Sequence, residues 1–149
     1  MARLVSTPAR QPTPKTELVQ TASISEQNMN VVDPAADEQR SAVSTARVRA
    51  LNDRFRQTGA GGRMLMTAGI AALPRDEQLA IVAAVMAFEV FDTGNDPHRE
   101  HDFGALRVGA HRVMFKVDYY DRSERVHSPD PSDAAVTCRV LTIMLAEEY

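Results

Sequence analysis

The first regular pattern of hydrophobic positions along the chain has helical spacing. Three apolar residues fall on one face of a helix that we expect from Asp37, its N-cap, to about Thr58: Val48, Leu51 and Phe55. The other faces of this helix carry four arginines: Arg47, Arg49, Arg54 and Arg56. Because Asp53 lies among the arginines and no aromatic residues are interleaved, we interpret them as a solvated helix surface.

A second helical pattern begins at Leu73-Pro74, with Pro at the favoured first position, and continues through QLAIVAAVMAFEVF to Phe91. Because this segment is apolar nearly all round, we predict that it forms the central buried helix, with Ala84 and Val85 in the core. Between the two helices, residues 63–69 (RMLMTAG) are a candidate for a short strand.

Alternation of apolar and polar residues predicts a β-hairpin in the second half of the chain. Residues 103–108 and 111–119 are strand-like runs, and Gly109-Ala110 between them is a Gly-first pair that suits a type II′ turn. In the second run Val113, Phe115, Val117 and Tyr119 alternate with more polar residues, as in a half-buried strand.

The last part of the chain has a pattern that we interpret as helical. Asp130 is a candidate N-cap before Pro131, and six residues supply a broad apolar face: Val136, Val140, Leu141, Ile143, Met144 and Leu145. The single cysteine, Cys138, is expected to be a small core residue of this helix. The predicted fold class is therefore α+β, a single small domain of order α-β-α-β-β-α in which an antiparallel hairpin packs with helices.

Composition divides the chain into a leader and a domain. Residues 1–36 are rich in Pro, Thr, Ser and Gln and lack apolar periodicity, so we predict a disordered leader before a domain at residues 37–149. Residues 1–58 carry eight basic and six acidic residues, whereas the remainder carries nine and fourteen. An acidic folded part does not favour nucleic acid as a partner. The sequence also contains no membrane span and no secretory signal, so we expect a cytoplasmic protein.

Several motifs occur in an order that resembles a known family. They are NDPHREHDFGAL (95–106), FKVDYYDR (115–122), SPDP (128–131) and RVLTIMLAEEY (139–149). Together they resemble domain of unknown function 3768, a family of small bacterial proteins, over about residues 47–149. The resemblance implies an origin near plasmid or mobile-element genes and implies no activity, cofactor or catalytic residue. Members often have Gly before EHDFG and Trp in the strand before KIDYYD, where this chain has Arg99 and Met114-Phe115.

Acidic residues and histidines crowd the loop before the hairpin and recur on its second strand. The candidate functional cluster consists of Asp96, His98, Glu100, His101, Asp102, Lys116, Asp118, Tyr120 and Asp121. Such groups could ligate a divalent metal or act as acid and base. However, the spacing His98-x-x-His101 falls in a loop, unlike the helical zinc-protease motif. We predict no metal and no cofactor, and the alternative is a metal site formed by His98, His101 and Asp118.

The hairpin register leads to two further expectations. Counting outward from the turn places His101 opposite Asp118, either as a structural hydrogen bond or as an oriented general base. The same register places Arg107 opposite Arg112, a like-charge pair that destabilises a hairpin unless both side chains are exposed or contact an anion.

The sequence favours a small interaction or modulator protein over an enzyme. Its acidic loops and exposed hairpin face would contact a basic partner, which we expect to be a protein, in the mobile-element setting that the resemblance implies. The alternative function is a metal-dependent hydrolase, such as a nuclease, that uses His98, His101 and Asp118.

Overall fold

A computed structural model of the chain describes residues 33–149. The predicted leader lies outside these residues, apart from positions 33–36. The helices are α1 (Pro34–Thr58), α2 (Ala68–Ala71) and α3 (Arg75–Met86), and a short 3₁₀ turn covers Ala146–Glu148. The strands are β1 (Gly62–Met66), β2 (Phe103–Val108), β3 (His111–Asp121) and β4 (Thr137–Leu145). These elements confirm the α+β class.

Helix α1 begins four residues before its predicted start, when the two N-caps are compared. The N-cap is Asp33, whose carboxylate accepts a hydrogen bond from the Ala35 N–H at 3.1 Å, and Asp37 instead lies in the first turn. The helix ends at Gly59, which adopts a left-handed φ of 73° and donates its N–H to the Phe55 carbonyl at 2.7 Å.

The strands form one mixed sheet of order β1-β4-β3-β2. The predicted hairpin is confirmed with its register, since Phe103 pairs with Lys116 and Leu106 with Val113 in the antiparallel β2–β3 ladder. Strand β4 pairs antiparallel with β3 and parallel with β1. Arg107 and Arg112 are opposite one another, as predicted, and both are exposed.

The core lies between one face of this sheet and helices α1 and α3. Buried side chains come from both helices and from the two central strands: Phe55, Ile81, Val85, Val113, Phe115, Val117, Leu141 and Ile143. The other face of β3 carries Met114, Lys116, Asp118 and Tyr120, and neither α1 nor α3 covers it. None of the helices in residues 33–149 is long and apolar enough to cross a membrane.

The predicted C-terminal helix is wrong, because residues 137–145 form the central strand β4. Six of its nine residues are buried and they lie on both faces, with Val140 and Met144 on the face away from the helices. A strand buried on both sides loses the alternating pattern and gives a continuous apolar run that also satisfies helical spacing. Asp130 caps a turn instead, where its carboxylate accepts the Ser132 N–H at 2.9 Å.

Two expectations about the helices also require correction. Helix α3 ends at Met86 and not at Phe91, and only Ile81 and Val85 among its residues are fully buried, while Leu79 is 55% exposed. Arg56 is not solvated: it is 1% exposed and donates to the carbonyls of Val85 and Met86 at 3.1 and 3.0 Å. A guanidinium at these last carbonyls of α3 satisfies groups that have no partner within the helix.

We expect Val85→Asp to unfold the domain, because the Val85 side chain is completely buried among apolar neighbours and a carboxylate there would have no partner. The free energy of unfolding should fall by several kcal/mol, which chemical denaturation measures, and the soluble yield should fall with it. The matched control is Leu79→Asp on the same helix, which should change the stability by less than about 0.5 kcal/mol. Equal behaviour of the two variants would contradict the burial of this face.

Candidate functional site

The loop between α3 and β2 (residues 87–102) carries most of the predicted functional cluster, and its first half is held by its own side chains. The Asp92 carboxylate accepts the N–H groups of Gly94 and Asn95 at 2.8 and 3.1 Å. The Asn95 amide accepts the Asp92 N–H at 2.9 Å and donates to the Val90 carbonyl at 2.8 Å. These bonds satisfy backbone groups locally, as is typical of Asp and Asn in turns.

Asp96 fixes the second half of the loop from within. Its side chain is 5% exposed, and one carboxylate oxygen accepts the N–H groups of Glu100 and His101 at 2.9 and 3.1 Å. Arg99 and His101 both adopt left-handed φ angles, 59° and 55°. Such angles are unfavourable for residues other than Gly, so the two hydrogen bonds to Asp96 help to maintain this conformation.

His101 is held against helix α1 and not against strand β3. Its Nδ1 lies 2.9 and 3.0 Å from the two carboxylate oxygens of Asp53, and its Nε2 lies 3.7 Å from the Asp96 carboxylate. The ring also stacks on Phe91, with centroids 3.8 Å apart and an interplanar angle of 4°. The predicted pairing with Asp118 is therefore wrong, because the β2–β3 ladder begins at Phe103 and the chain turns toward α1 before it.

A buried polar network joins the same loop to α1 and to the sheet. The Asn52 side chain is fully buried and uses all of its hydrogen-bonding groups: its amide donates to the Glu100 carbonyl at 2.9 Å and to the Tyr119 hydroxyl at 2.7 Å. Its oxygen accepts from Nε of Arg139 at 2.8 Å. The Tyr119 hydroxyl then donates to the Glu100 carboxylate at 2.9 Å. Burial raises the pKa of Tyr119 well above its ordinary value, so the phenol remains a donor.

On the opposite side of the loop, four residues of the predicted cluster line one groove of about 440 Å³. We call it the Asp102 groove. Its predicted members are His98, Asp102, Lys116 and Asp118. Its apolar wall is formed by Phe103 and Tyr149, whose ring centroids lie 5.7 Å apart. Lys116 and Asp118 form an ion pair at 2.9 Å, and this contact raises the pKa of Lys116.

Asp102 is a carboxyl group of the groove whose pKa is raised. Burial raises its pKa above the ordinary value and the negative charges of Glu100 and Asp96 raise it further, whereas a hydrogen bond from its own backbone N–H and the nearby His98 lower it. Asp102 forms no ion pair with a side chain of residues 33–149, whereas Asp118 forms an ion pair with Lys116. The groove thus contains a half-buried carboxyl group whose negative charge is poorly compensated.

The remaining predicted residues lie away from this groove. Asp96 bonds the backbone of its own loop, Glu100 belongs to the buried network, and His101 contacts Asp53 of α1. Tyr120 stacks with His127, and Asp121 accepts the Arg125 N–H at 2.9 Å in the turn after β3. Across residues 33–149, no three His, Cys, Asp or Glu side chains are grouped so that they could hold a metal ion. The alternative set of His98, His101 and Asp118 is accordingly not assembled.

A second concavity, of about 530 Å³, lies between the start of α3 and the hairpin turn. It is mainly apolar, with walls that include Leu73, Ile81 and Val108, and none of the predicted site residues lines it. Its two ionisable side chains, Glu77 and His111, contact each other. Since these groups satisfy one another, the Asp102 groove is the better candidate for a functional site.

Sequence reasoning missed the residues that position the groove and form its apolar wall. Asn52 and Asp53 lie in the middle of α1, where neither residue type is favoured, and this was the available signal that their side chains have partners.

Cys138, expected in a helical core, lies on β4 with its sulfur 3.5 Å from the Glu124 carboxylate. Burial and this carboxylate raise the pKa of its thiol, which disfavours the reactive thiolate.

Comparison with known proteins supports the family resemblance and adds no function. A family model described as "Protein of unknown function (DUF3768)" matches residues 66–148, which confirms the resemblance over a shorter range than about 47–149. No curated protein and no solved structure matches the chain. Helix α1, with Asn52 and Asp53, precedes the matched range.

We expect Asn52→Ala to lower the free energy of unfolding by about 2–4 kcal/mol, because Arg139, Tyr119 and the Glu100 carbonyl would each lose a buried partner. Urea denaturation measures this loss. Gln57→Ala, at an exposed position of the same helix, is the control and should change the stability by less than about 0.5 kcal/mol. A similarly small effect at Asn52 would contradict the importance of the network.

Asp102→Asn should stabilise the domain at pH 7. The pKa of Asp102 is raised in the folded state, so protonation of Asp102 stabilises the folded protein relative to the unfolded chain. This stabilisation is lost as the pH rises through the raised pKa, because the folded protein then carries the buried carboxylate. The Asn amide does not ionise and therefore loses no stability as the pH rises, so the melting midpoint of the variant at pH 7 should be about 2–4 °C higher than that of the parent. The difference between variant and parent should vanish below the ordinary pKa of 3.8, where Asp102 is protonated in both states. A lower midpoint of the variant at pH 7 would show that the carboxylate has a stabilising partner.

Proposed function

The chain belongs to the DUF3768 family of proteins of unknown function, and we propose that it is an interaction protein whose Asp102 groove binds a positively charged segment of a protein partner. The observation that carries this proposal is the half-buried, unpaired Asp102 carboxyl group. A cation placed next to it compensates both the desolvation and the repulsion from Glu100 and Asp96. The groove therefore gains more from a positively charged ligand than from a neutral or anionic one.

The charge of the domain supports the same class of partner. Residues 33–149 contain fourteen Lys and Arg against eighteen Asp and Glu, a net charge of −4. This field attracts basic segments and repels nucleic acid over distances of about a Debye length, roughly 8–10 Å. The proposal consequently names a basic protein segment and not a polyanion.

The surface next to the groove supports a protein ligand over a small amine. On the face of the sheet that α1 and α3 do not cover, the surface of β3 continues from Lys116 and Asp118 to Met114 and Tyr120, which are partly exposed. Met and Tyr are enriched in protein interfaces, where large side chains contribute contact area. A chain segment can thus place one charge in the groove and lie along the sheet.

The cellular setting of this interaction is part of the proposal. The resemblance implies bacterial genomes and plasmids near mobile-element genes, so we propose a cytoplasmic partner encoded in the same genetic neighbourhood. The support for this setting is the family resemblance and the sequence composition.

Binding of labelled nonapeptides to the full chain tests the proposal. A peptide with alternating basic residues and Gly should bind, and its counterpart with Glu at the basic positions should not. Asp102→Asn should weaken binding about tenfold, equivalent to ~1.4 kcal/mol. Asp76→Asn removes the same charge from an exposed position of α3 outside the groove and is the matched control. Equal losses in both variants would mean that general charge, and not the groove, attracts the peptide.

A further inference from the structure

The Asp102 groove combines aromatic rings with carboxylate oxygens, and the interior of this protein shows which cation fits that combination. Arg56 is 1% exposed, its guanidinium carbon lies 5.3 Å from the centre of the Phe91 ring, and it donates to the Asp53 carboxylate at 3.0 Å. Arg139 is 2% exposed, lies 5.6 Å from the centre of the Tyr119 ring, and donates to the Asn52 oxygen. Both cations that are buried within residues 33–149 are thus guanidinium groups that contact a ring and an oxygen acceptor.

The ammonium group behaves differently in the same molecule. Lys116 is the one lysine in residues 33–149, its side chain is 42% exposed, and it pairs with Asp118 at the edge of the groove. A compact ammonium is strongly hydrated, whereas a planar guanidinium is weakly hydrated, stacks on aromatic faces and donates in a fork to carboxylates. Desolvation next to a half-buried carboxyl group consequently costs less free energy for an arginine side chain than for a lysine side chain.

We propose that the Asp102 groove is an arginine-binding pocket, in which a guanidinium from the partner contacts the Asp102 carboxylate and packs against the Phe103 and Tyr149 rings. This inference rests on the proposed function and specifies its ligand. The two aromatic side chains lie next to each other on the wall of the groove, with centroids 5.7 Å apart and planes tilted by 56°. Asp118 already contacts Lys116, so Asp102 is the carboxyl group that the ligand neutralises.

The role of each group follows from its chemistry. Asp102 supplies negative charge and accepts hydrogen bonds, so its loss weakens the binding of every cationic ligand. The rings supply a flat apolar contact that favours a planar guanidinium over an ammonium, so the loss of a ring reduces the preference and leaves the charge attraction. Tyr149 is suited to separate these effects, because it is 75% exposed and its substitution does not disturb the core.

The experiment compares two blocked tripeptides of equal charge, acetyl-Gly-Arg-Gly-amide and acetyl-Gly-Lys-Gly-amide, titrated into the full chain and followed by NMR chemical shifts. We expect the arginine peptide to bind about tenfold more tightly than the lysine peptide. In Tyr149→Leu the ratio should fall to about twofold or less, whereas Asp102→Asn should weaken binding of both peptides about tenfold. Asp76→Asn is the control and should leave both affinities and their ratio unchanged.

The outcomes separate this inference from the proposed function. Equal affinities for the two peptides, or a preference that Tyr149→Leu does not change, would overturn the arginine pocket and leave the groove as a general site for basic segments. Absence of tripeptide binding, together with Asp102-dependent binding of the basic nonapeptide, would do the same. If neither the tripeptides nor the nonapeptide bound in an Asp102-dependent manner, both proposals would be wrong.

Discussion

The carboxamide of Asn52 is the contact on which the candidate site depends most. It lies on α1, yet its three hydrogen bonds end on the loop before β2, on β3 and on β4. A buried amide with every group satisfied favours one relative arrangement of these parts, because a shift leaves a buried donor or acceptor unpaired. The outer surface of the loop that Asn52 and Asp53 hold in place forms one side of the Asp102 groove.

The motif NDPHREHDFG can now be understood as a segment with two sides. On one side, Asp96 bonds the loop backbone, while Glu100 and His101 contact the buried network and α1. On the other side, His98, Asp102 and Phe103 line the groove. Residues of the first group fix the backbone, and residues of the second group are available to a ligand. The crowding of charged residues that identified this segment in the sequence therefore has one structural cause, and we propose binding as the second.

Short-range rules predicted the hairpin and failed where partners come from distant parts of the chain. A two-residue turn fixes every pairing of β2 with β3 by counting, so that register followed from local sequence. The counting failed at His101, because its partner Asp53 lies 48 residues earlier, and no local pattern relates the two. Four of the nine predicted site residues do meet in one groove. That groove also needs Phe103 and Tyr149, whose proximity depends on the whole sheet.

The position of β4 in the sheet has a consequence for how the domain folds. The last strand in chain order lies between β1 and β3, and it pairs Gly62 with Arg139, seventy-seven residues later. Contacts of such long sequence separation close large loops and form slowly compared with a hairpin. During synthesis, the hairpin and the helices precede their central strand, so their apolar surfaces remain exposed until β4 leaves the ribosome. This interval is the stage at which the domain is most exposed to aggregation and to chaperones.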